Sequence, residues 1–333
     1  MKRGQPGTST AELFRAAVAG DRGALARLLS IVERGGDEGR ELAGLTFRRA
    51  GATYAIGFTG APGSGKSTLA SAVLADIRRR LDIPVAVLAV DPSSPVTGGA
   101  ILGDRVRMQQ HALDDAVFIR SMATRGHLGG LAAAVPEAVR LLDATGWPLV
   151  IIETVGVGQV EVEIAATCDT VAVVVSPGWG DAVQANKAGL LEIADVLVIN
   201  KADRPGVQET ARDLRLMLQL SGTLDWTPPI VKTVASTGEG VAELWDAIAA
   251  HREHLERSGV LEVRRVARAR DEALRIAKGR FEMALGRAVA GSANAGLLTA
   301  LRDRRMDPDQ AAGRLVEEVA RELGGGSRPP PSS

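Results

Sequence analysis

The stretch that most constrains this chain is residues 60–68, GAPGSGKST. It follows a short apolar run, YAIGF at 54–58, and leads into LASAVL at 69–74. That order predicts a strand, a glycine-rich loop and the start of a helix, and G-x-x-x-x-G-K-[ST] is the pattern of a phosphate-binding loop. Glycines let such a loop curl until several backbone N–H groups point inward at the phosphates. The helix start adds unpaired N–H groups and the positive end of its dipole. Gly60, Ala61, Pro62, Gly63, Ser64, Gly65, Lys66, Ser67 and Thr68 are therefore candidate nucleotide-binding residues. Lys66 can reach the β- and γ-phosphates, and Ser67 can offer its hydroxyl to Mg²⁺. The full pattern in this context argues against a plain glycine-rich turn.

Strand-like apolar runs recur at 54–58, 85–90, 117–119, 149–152, 171–175, 196–199 and 230–234. Helical patterns start between them, near Lys66, Asp104, Leu131, Val160, Gln184, Val207 and Gly240. Near-continuous apolar strands mean a sheet buried on both faces. The alternation means parallel strands joined by crossover helices, an α/β fold with a mostly parallel sheet flanked by helices. Binding residues then belong at the carboxyl ends of the strands.

Before this core, residues 10–34 carry helical apolar spacing with a break near Gly20 and Asp21, and a third helical piece covers 37–49. After Ser258 the strand signals stop. An amphipathic helix over 263–288 is followed by short helices over 294–302 and 308–323, the last opened by Pro308, which suits a first helical turn. The expected organisation is a helical arm at 1–50, a nucleotide-binding domain at 51–257, a C-terminal helical arm at 258–323 and a disordered tail at 324–333.

Composition narrows the class of partner. Formal net charge is +0, so no bulk basic field draws nucleic acid or an anionic membrane. A single cysteine, Cys168, cannot form an intrachain disulfide, and four scattered histidines make no zinc cluster. No signal peptide and no run of membrane-spanning length is visible, so a cytoplasmic protein is expected. Aromatic residues are only 3%, so the core must be built from Val, Ile, Leu and Ala. Lysine is scarce among the 40 basic residues. A retained lysine then hints that its compact ammonium matters, which fits Lys66 and Lys201 and draws attention to Lys187 and Lys232.

Several motifs fall at expected strand ends. Asn200, Lys201 and Asp203 form N-K-x-D, the pattern that reads guanine. The Asp203 carboxylate can accept from N1–H and the exocyclic amine of guanine, a donor pair that adenine lacks, and a mismatched base would leave that carboxylate unpaired. Val234, Ala235 and Ser236 open a loop resembling the S-A-x-x-G-x-G loop of GTPases, in which a backbone N–H meets the guanine carbonyl; a backbone donor tolerates Val234 in place of serine. Asp91 closes a strand expected beside the phosphate-loop strand, where a carboxylate can hold Mg²⁺ directly or through water, or cap the turn at Pro92. Asp104, in a glycine-rich stretch, fits a helix N-cap, a Mg²⁺ ligand, or both in different states. Glu153 and Gly156 stand where Ras-like proteins carry D-x-x-G; Glu153 can reach Mg²⁺ through water, and Gly156 can contact the γ-phosphate. Val157 occupies the place of the water-orienting glutamine of Ras, with Gln159 two residues on, so intrinsic hydrolysis is expected to be slow. Trp179, between Gly178 and Gly180, suits an exposed movable loop as well as it suits the core. Arg125 and, less so, His127 are candidates for phosphate or partner contact, but a structural ion pair is the simpler explanation of each.

Taken together, GAPGSGKST, AVDPSSPVTGGAILGDRVRM, IIETVGVGQVEVEIA, PGWGD with Lys187, and NKADRP resemble the MeaB/ArgK/MMAA GTPases, chaperones of adenosylcobalamin-dependent acyl-CoA mutases. The resemblance covers most of the chain and implies a P-loop NTPase of the SIMIBI class that binds GTP or GDP with Mg²⁺. It implies a homodimer paired through the C-terminal arm, and a partnership with methylmalonyl-CoA mutase or a related mutase. It implies Lys66, Ser67 and Thr68 at phosphate and Mg²⁺, and Asp91, Asp104 and Glu153 around the metal. It implies switch segments around Asp104, after Glu153 and from Pro177 to Lys187, and Asn200, Lys201 and Asp203 at guanine. Lys66, Asp104, Glu153, Gly156 and Lys187 are the expected catalytic set. Trp179 departs from the smaller or aliphatic residues usual between those glycines. A metal-inserting GTPase, and a protein kinase under the older ArgK label, are alternatives on the same core. The paucity of Cys and His weighs against the first, and N-K-x-D favours GTP over the ATP of the second.

Overall fold

The computed structural model describes residues 8–91, 111, 113–123, 130–154, 166–178, 192–220, 225–291 and 294–324. Three helices open it: α1 (Thr10–Val18), α2 (Arg22–Arg34) and α3 (Gly36–Phe47). Ser9 and Glu12 form a reciprocal capping box at the start of α1, and the Asp21 side chain caps α2 by accepting from the Ala24 N–H at 2.9 Å. The break expected at Gly20 and Asp21 is thus a helix stop followed at once by a cap.

The core then alternates: β1 (Tyr54–Gly60), α4 (Lys66–Leu81), β2 (Val85–Asp91), β3 (Val117–Ala123), α5 (Gly130–Ala144), β4 (Leu149–Thr154), β5 (Thr170–Val175), β6 (Val196–Asn200), α6 (Val207–Leu220), β7 (Ile230–Thr233) and α7 (Val241–Ser258). All seven expected strands are present and every pairing is parallel, in the order β3-β2-β4-β1-β5-β6-β7. One expectation is corrected. β2 does not lie beside β1, because β4 returns between them and pairs with both. Helices expected near Asp104, Val160 and Gln184 lie outside the described residues.

The side-chain period of two sends alternate residues to opposite faces. Ala55, Leu88, Val150, Ile152, Val173 and Leu197 join α1–α3 in one core. Ile56, Phe58, Val87, Ile151, Val174 and Val198 join α4 and α7 in the other. As composition required, both cores are overwhelmingly aliphatic. At the start of the edge strand β3, Arg22 donates to Val117 O and to Asp115 O just before the strand, the latter at 3.2 Å. Arg120 of β3 in turn reaches Glu33 and Ser30 of α2, both at 3.0 Å. The N-terminal helices therefore cover a sheet edge that would otherwise be open to pairing.

Three further helices follow: α8 (Val260–Ala290), α9 (Leu297–Arg302) and α10 (Pro308–Gly324). Gly259, at φ 72°, separates α7 from α8. α9 starts later than the expected 294 because Asn294 instead caps the preceding helix, donating to Ala288 O at 2.9 Å. The chain divides into two compact units, Met1–Arg265 and Val266–Ser333. In the second, Ala284, Ala288 and Val319 are the buried centre, with Phe281, Leu285 and Leu315 packed on them.

The amino end of β1 is held by Asp143, whose carboxylate accepts from Gly51 N at 2.6 Å, Thr53 N at 3.1 Å and Ala52 N at 3.2 Å. Hydrogen bonds to a charged group contribute more than neutral ones. Asp143→Ala is expected to lower unfolding free energy by about 2 kcal/mol, read as a lower urea midpoint, while guanine-nucleotide affinity stays within about twofold because the site is at the other end of the strand.

Candidate nucleotide-binding site

The carboxyl end of β1 runs straight into the glycine-rich loop. Gly60 has φ 133°, and a Cβ there would lie 2.1 Å from Val174 O, so no other residue lets the loop leave the sheet this close to β5. Lys66, in the first turn of α4, turns back over the loop. Its Nζ donates to Gly60 O at 2.7 Å and Ala61 O at 3.1 Å, which aims a buried ammonium at the cradle. Ser67 follows, and its hydroxyl donates to Oε1 of Glu153 at the end of β4. Glu153 is 1% exposed. A hydroxyl and a buried carboxylate in direct contact, beside a phosphate cradle, are hard oxygen donors of the kind Mg²⁺ selects. Thr68 occupies the same turn of α4, exposed.

The N-K-x-D side is organised by Asn200, the last residue of β6. Its Nδ2 donates to Ser64 O at 2.8 Å, and its Oδ1 accepts from Thr233 Oγ1 and Ala235 N, both at 3.1 Å. Lys201, at φ 60°, donates to Gly63 O at 2.5 Å. Gly65 is packed so tightly here that a Cβ would sit 2.4 Å from Asn200 Nδ2. Asp203 is exposed in the turn that follows, with its backbone fixed by Ala202 N donating to Thr233 O at 3.0 Å. Val234 N donates to Glu239 O at 2.9 Å, closing the loop that presents Ala235 and Ser236. The Ala235 N–H, expected to meet a guanine carbonyl, here holds Asn200.

The structure thus brings the loop 60–68, Glu153, the N-K-x-D residues and the 234–236 loop together at the carboxyl ends of β1, β4, β6 and β7. Asp91 ends β2, opposite Ala123 of β3. Asp104, Gly156 and Lys187 lie outside the described residues, as do Arg125, His127, Val157, Gln159 and Trp179. Sequence reasoning missed Thr233. Its hydroxyl completes the Asn200 acceptor, and its only signal was a polar residue at the end of a strand.

A parallel sheet with a phosphate loop after its first strand and an N-K-x-D turn after its sixth defines a P-loop GTPase. The sequence profile described as "Methylmalonyl Co-A mutase-associated GTPase MeaB" matches residues 25–289. A Pyrococcus abyssi relative, described as a candidate GTPase, is 46% identical over 95% of this chain and 97% of its own. The GTPase ArgK of Escherichia coli is 38% identical over 76% of this chain and 78% of its own. The Caenorhabditis elegans protein named methylmalonic aciduria type A homolog, mitochondrial, is 34% identical over 76% of this chain and 68% of its own. The crystal structure of an LAO/AO transport system kinase superposes with a TM-score of 0.69 at 27% identity, covering 95% of this chain and 99% of that one. The chain belongs to the MeaB/ArgK/MMAA family and is a GTPase.

Because Asn200 joins three segments, its loss affects the whole site. Asn200→Ala is expected to weaken GDP binding by about 30-fold, equivalent to about 2 kcal/mol of lost hydrogen bonding. Calorimetric titration against GDP, alongside an unchanged far-ultraviolet spectrum, checks this.

Proposed function

We propose that this GTPase couples its nucleotide state to adenosylcobalamin loading and protection of methylmalonyl-CoA mutase or a related acyl-CoA mutase. The observation that carries the reading is the match of residues 25–289 to a family described by its association with that mutase. The name of the C. elegans relative points the same way.

At the site, loop 60–68 holds the phosphates of GTP or GDP, and Asp203 reads guanine with Asn200 and Lys201 as its support. Ser67 and Glu153 are already in contact and would hold Mg²⁺, with Asp91 and Asp104 as further ligands. When bound, the ion neutralises charge developing on the phosphate oxygens. Lys66 exchanges loop carbonyls for phosphate oxygens and stabilises the same charge. Gly156 and Lys187 complete the proposed catalytic set. GTP orders the segments around Asp104 and after Glu153, and the ordered form binds the mutase with a different affinity.

The C-terminal helices support a homodimer. The centre of the second unit is small, while Val266, Leu274 and Leu298 are each at least 63% exposed, an apolar surface suited to a second copy. Among the described residues no helix is long and apolar enough to cross a membrane; we place the protein in the cytoplasm.

GTP turnover by the purified protein is expected to be slow and to rise by at least about tenfold with a cobalamin-dependent acyl-CoA mutase from the same cell. Unchanged turnover with every such mutase removes the partner and leaves the GTPase. Separately, Asp203→Asn is expected to lower GTP affinity by more than about 100-fold and to favour XTP, whose C2 carbonyl accepts from an amide. Competition binding with the two nucleotides reads that exchange.

A further inference from the structure

The backbone ladder between β1 and β4 ends at Phe58 and Glu153. Beyond it the two strands keep different company. Thr59 and Gly60 continue with Val173 and Val174 of β5. Thr154 continues with Val90 of β2. The sheet therefore parts at the point where the phosphate loop leaves one side and the segment after Glu153 leaves the other. In open α/β sheets such a parting is where ligands enter.

One side-chain contact spans the parting. The Thr154 hydroxyl lies 3.3 Å from the Thr59 hydroxyl and donates to Phe58 O at 3.4 Å. Both threonines are nearly inaccessible, at 3% and 2% exposure. The Thr154 hydroxyl is the donor in both contacts, its proton shared between the Phe58 carbonyl and the Thr59 oxygen. Strand alternation places these hydroxyls on the face opposite Phe58 and Glu153. Among the described residues no hydrogen bond joins them to a phosphate-loop side chain, and the chemistry assigned above leaves them without a task. Two buried hydroxyls exact a desolvation cost that apolar residues of the same shape would avoid.

We propose that Thr154, acting through Thr59, is a positioning residue for GTP hydrolysis. The hydroxyl pair is the last rung between the strand that carries the loop and the strand that carries Glu153. It fixes the width of the cleft there, and with it the reach of Glu153 to Ser67 and the starting point of the segment that follows Thr154. Nucleotide binding by the loop and the N-K-x-D turn does not pass through this rung, so its loss reaches turnover without reaching affinity.

The test is a double-mutant cycle on intrinsic GTP hydrolysis, which does not depend on the identity of any partner. Thr154→Val keeps the shape and removes the hydroxyl. It is expected to lower kcat by about tenfold, a loss typical of small misplacement, with KM and the GDP dissociation constant within about twofold. Thr154→Ser restores turnover. Thr59→Val shows the same loss, and the double variant is no slower than either single one. The proposal is overturned if Thr154→Val turns over within about twofold of the unaltered protein. It is equally overturned if kcat and GDP affinity fall together, or if the two single losses multiply. Should Thr154→Val fail to fold, Thr59→Val against Thr59→Ser carries the same expectations from the other strand.

Discussion

The carboxamide of Asn200 makes one site of three separate stretches of chain. Its donor end holds the phosphate loop at Ser64, and its acceptor end gathers Thr233 and the Ala235 N–H from the far side of the sheet. A carboxamide supplies both the donor and the acceptor needed here: aspartate would set a charge against the Ser64 carbonyl, and leucine would leave all three partners without this bond. The tightness of the arrangement shows at Gly65, where even a methyl group would collide with the amide. The glycine-rich loop and the N-K-x-D turn are therefore mechanically joined. Asp203 itself stays exposed in the turn that follows.

Chemistry and stability are divided between the two ends of the sheet. At the amino ends, aspartates reach sideways to tie neighbouring strands. Asp169 accepts from Ala55 N at 2.9 Å, and Asp195 accepts from Val171 N at 2.9 Å. Arg265 lies on Asp169 at 3.2 Å while donating to Thr53 O at 2.7 Å and Gly51 O at 2.9 Å, and Arg264 lies on Asp195 at 3.3 Å. Beneath them Tyr54, Thr170 and His251 form a buried chain with spacings of 2.5 and 2.8 Å, and burial pushes the Tyr54 hydroxyl above its usual range. These groups satisfy one another. At the carboxyl ends stand instead the glycine-rich loop with Lys66, the Ser67–Glu153 pair and Asn200.

The fold was largely legible because its strands are short, aliphatic and separated by strong helix signals, so periodicity and length agreed. All seven strands and the helices beginning at Lys66 and Val207 stand where apolar runs and glycines placed them. The glycines of the loop were legible because close backbone approach demands them at Gly60 and Gly65. Strand order was not legible. Sequence adjacency suggested β2 beside β1, but a crossover can land one place further out and leave a gap for β4, and nothing in the run 85–90 encodes that choice. Thr233, Thr59 and Thr154 were equally silent, because a buried hydroxyl reads as an ordinary β-former until its cross-strand neighbour is known.

That strand order decides which carboxylate comes nearest the loop. Neighbouring strands are about 4.8 Å apart, so Glu153 on β4 is one spacing from β1 and Asp91 on β2 is two, about 10 Å. Ser67, one residue into α4, is met by the nearer of the two and bonds it directly. In the proposed Mg²⁺ surround the strands therefore set unequal parts: Glu153 bears on the same hydroxyl that would ligate the ion, while the end of β2 contributes from beyond it. Glu153 is also followed at once by Thr154 and by the segment expected to sense the γ-phosphate. Displacement of that segment has a short path to the loop, through one residue and one hydroxyl pair. The insertion of β4 between β1 and β2 thus places the acid that meets Ser67 and the root of the expected switch on a single strand, so that neither can shift without the other.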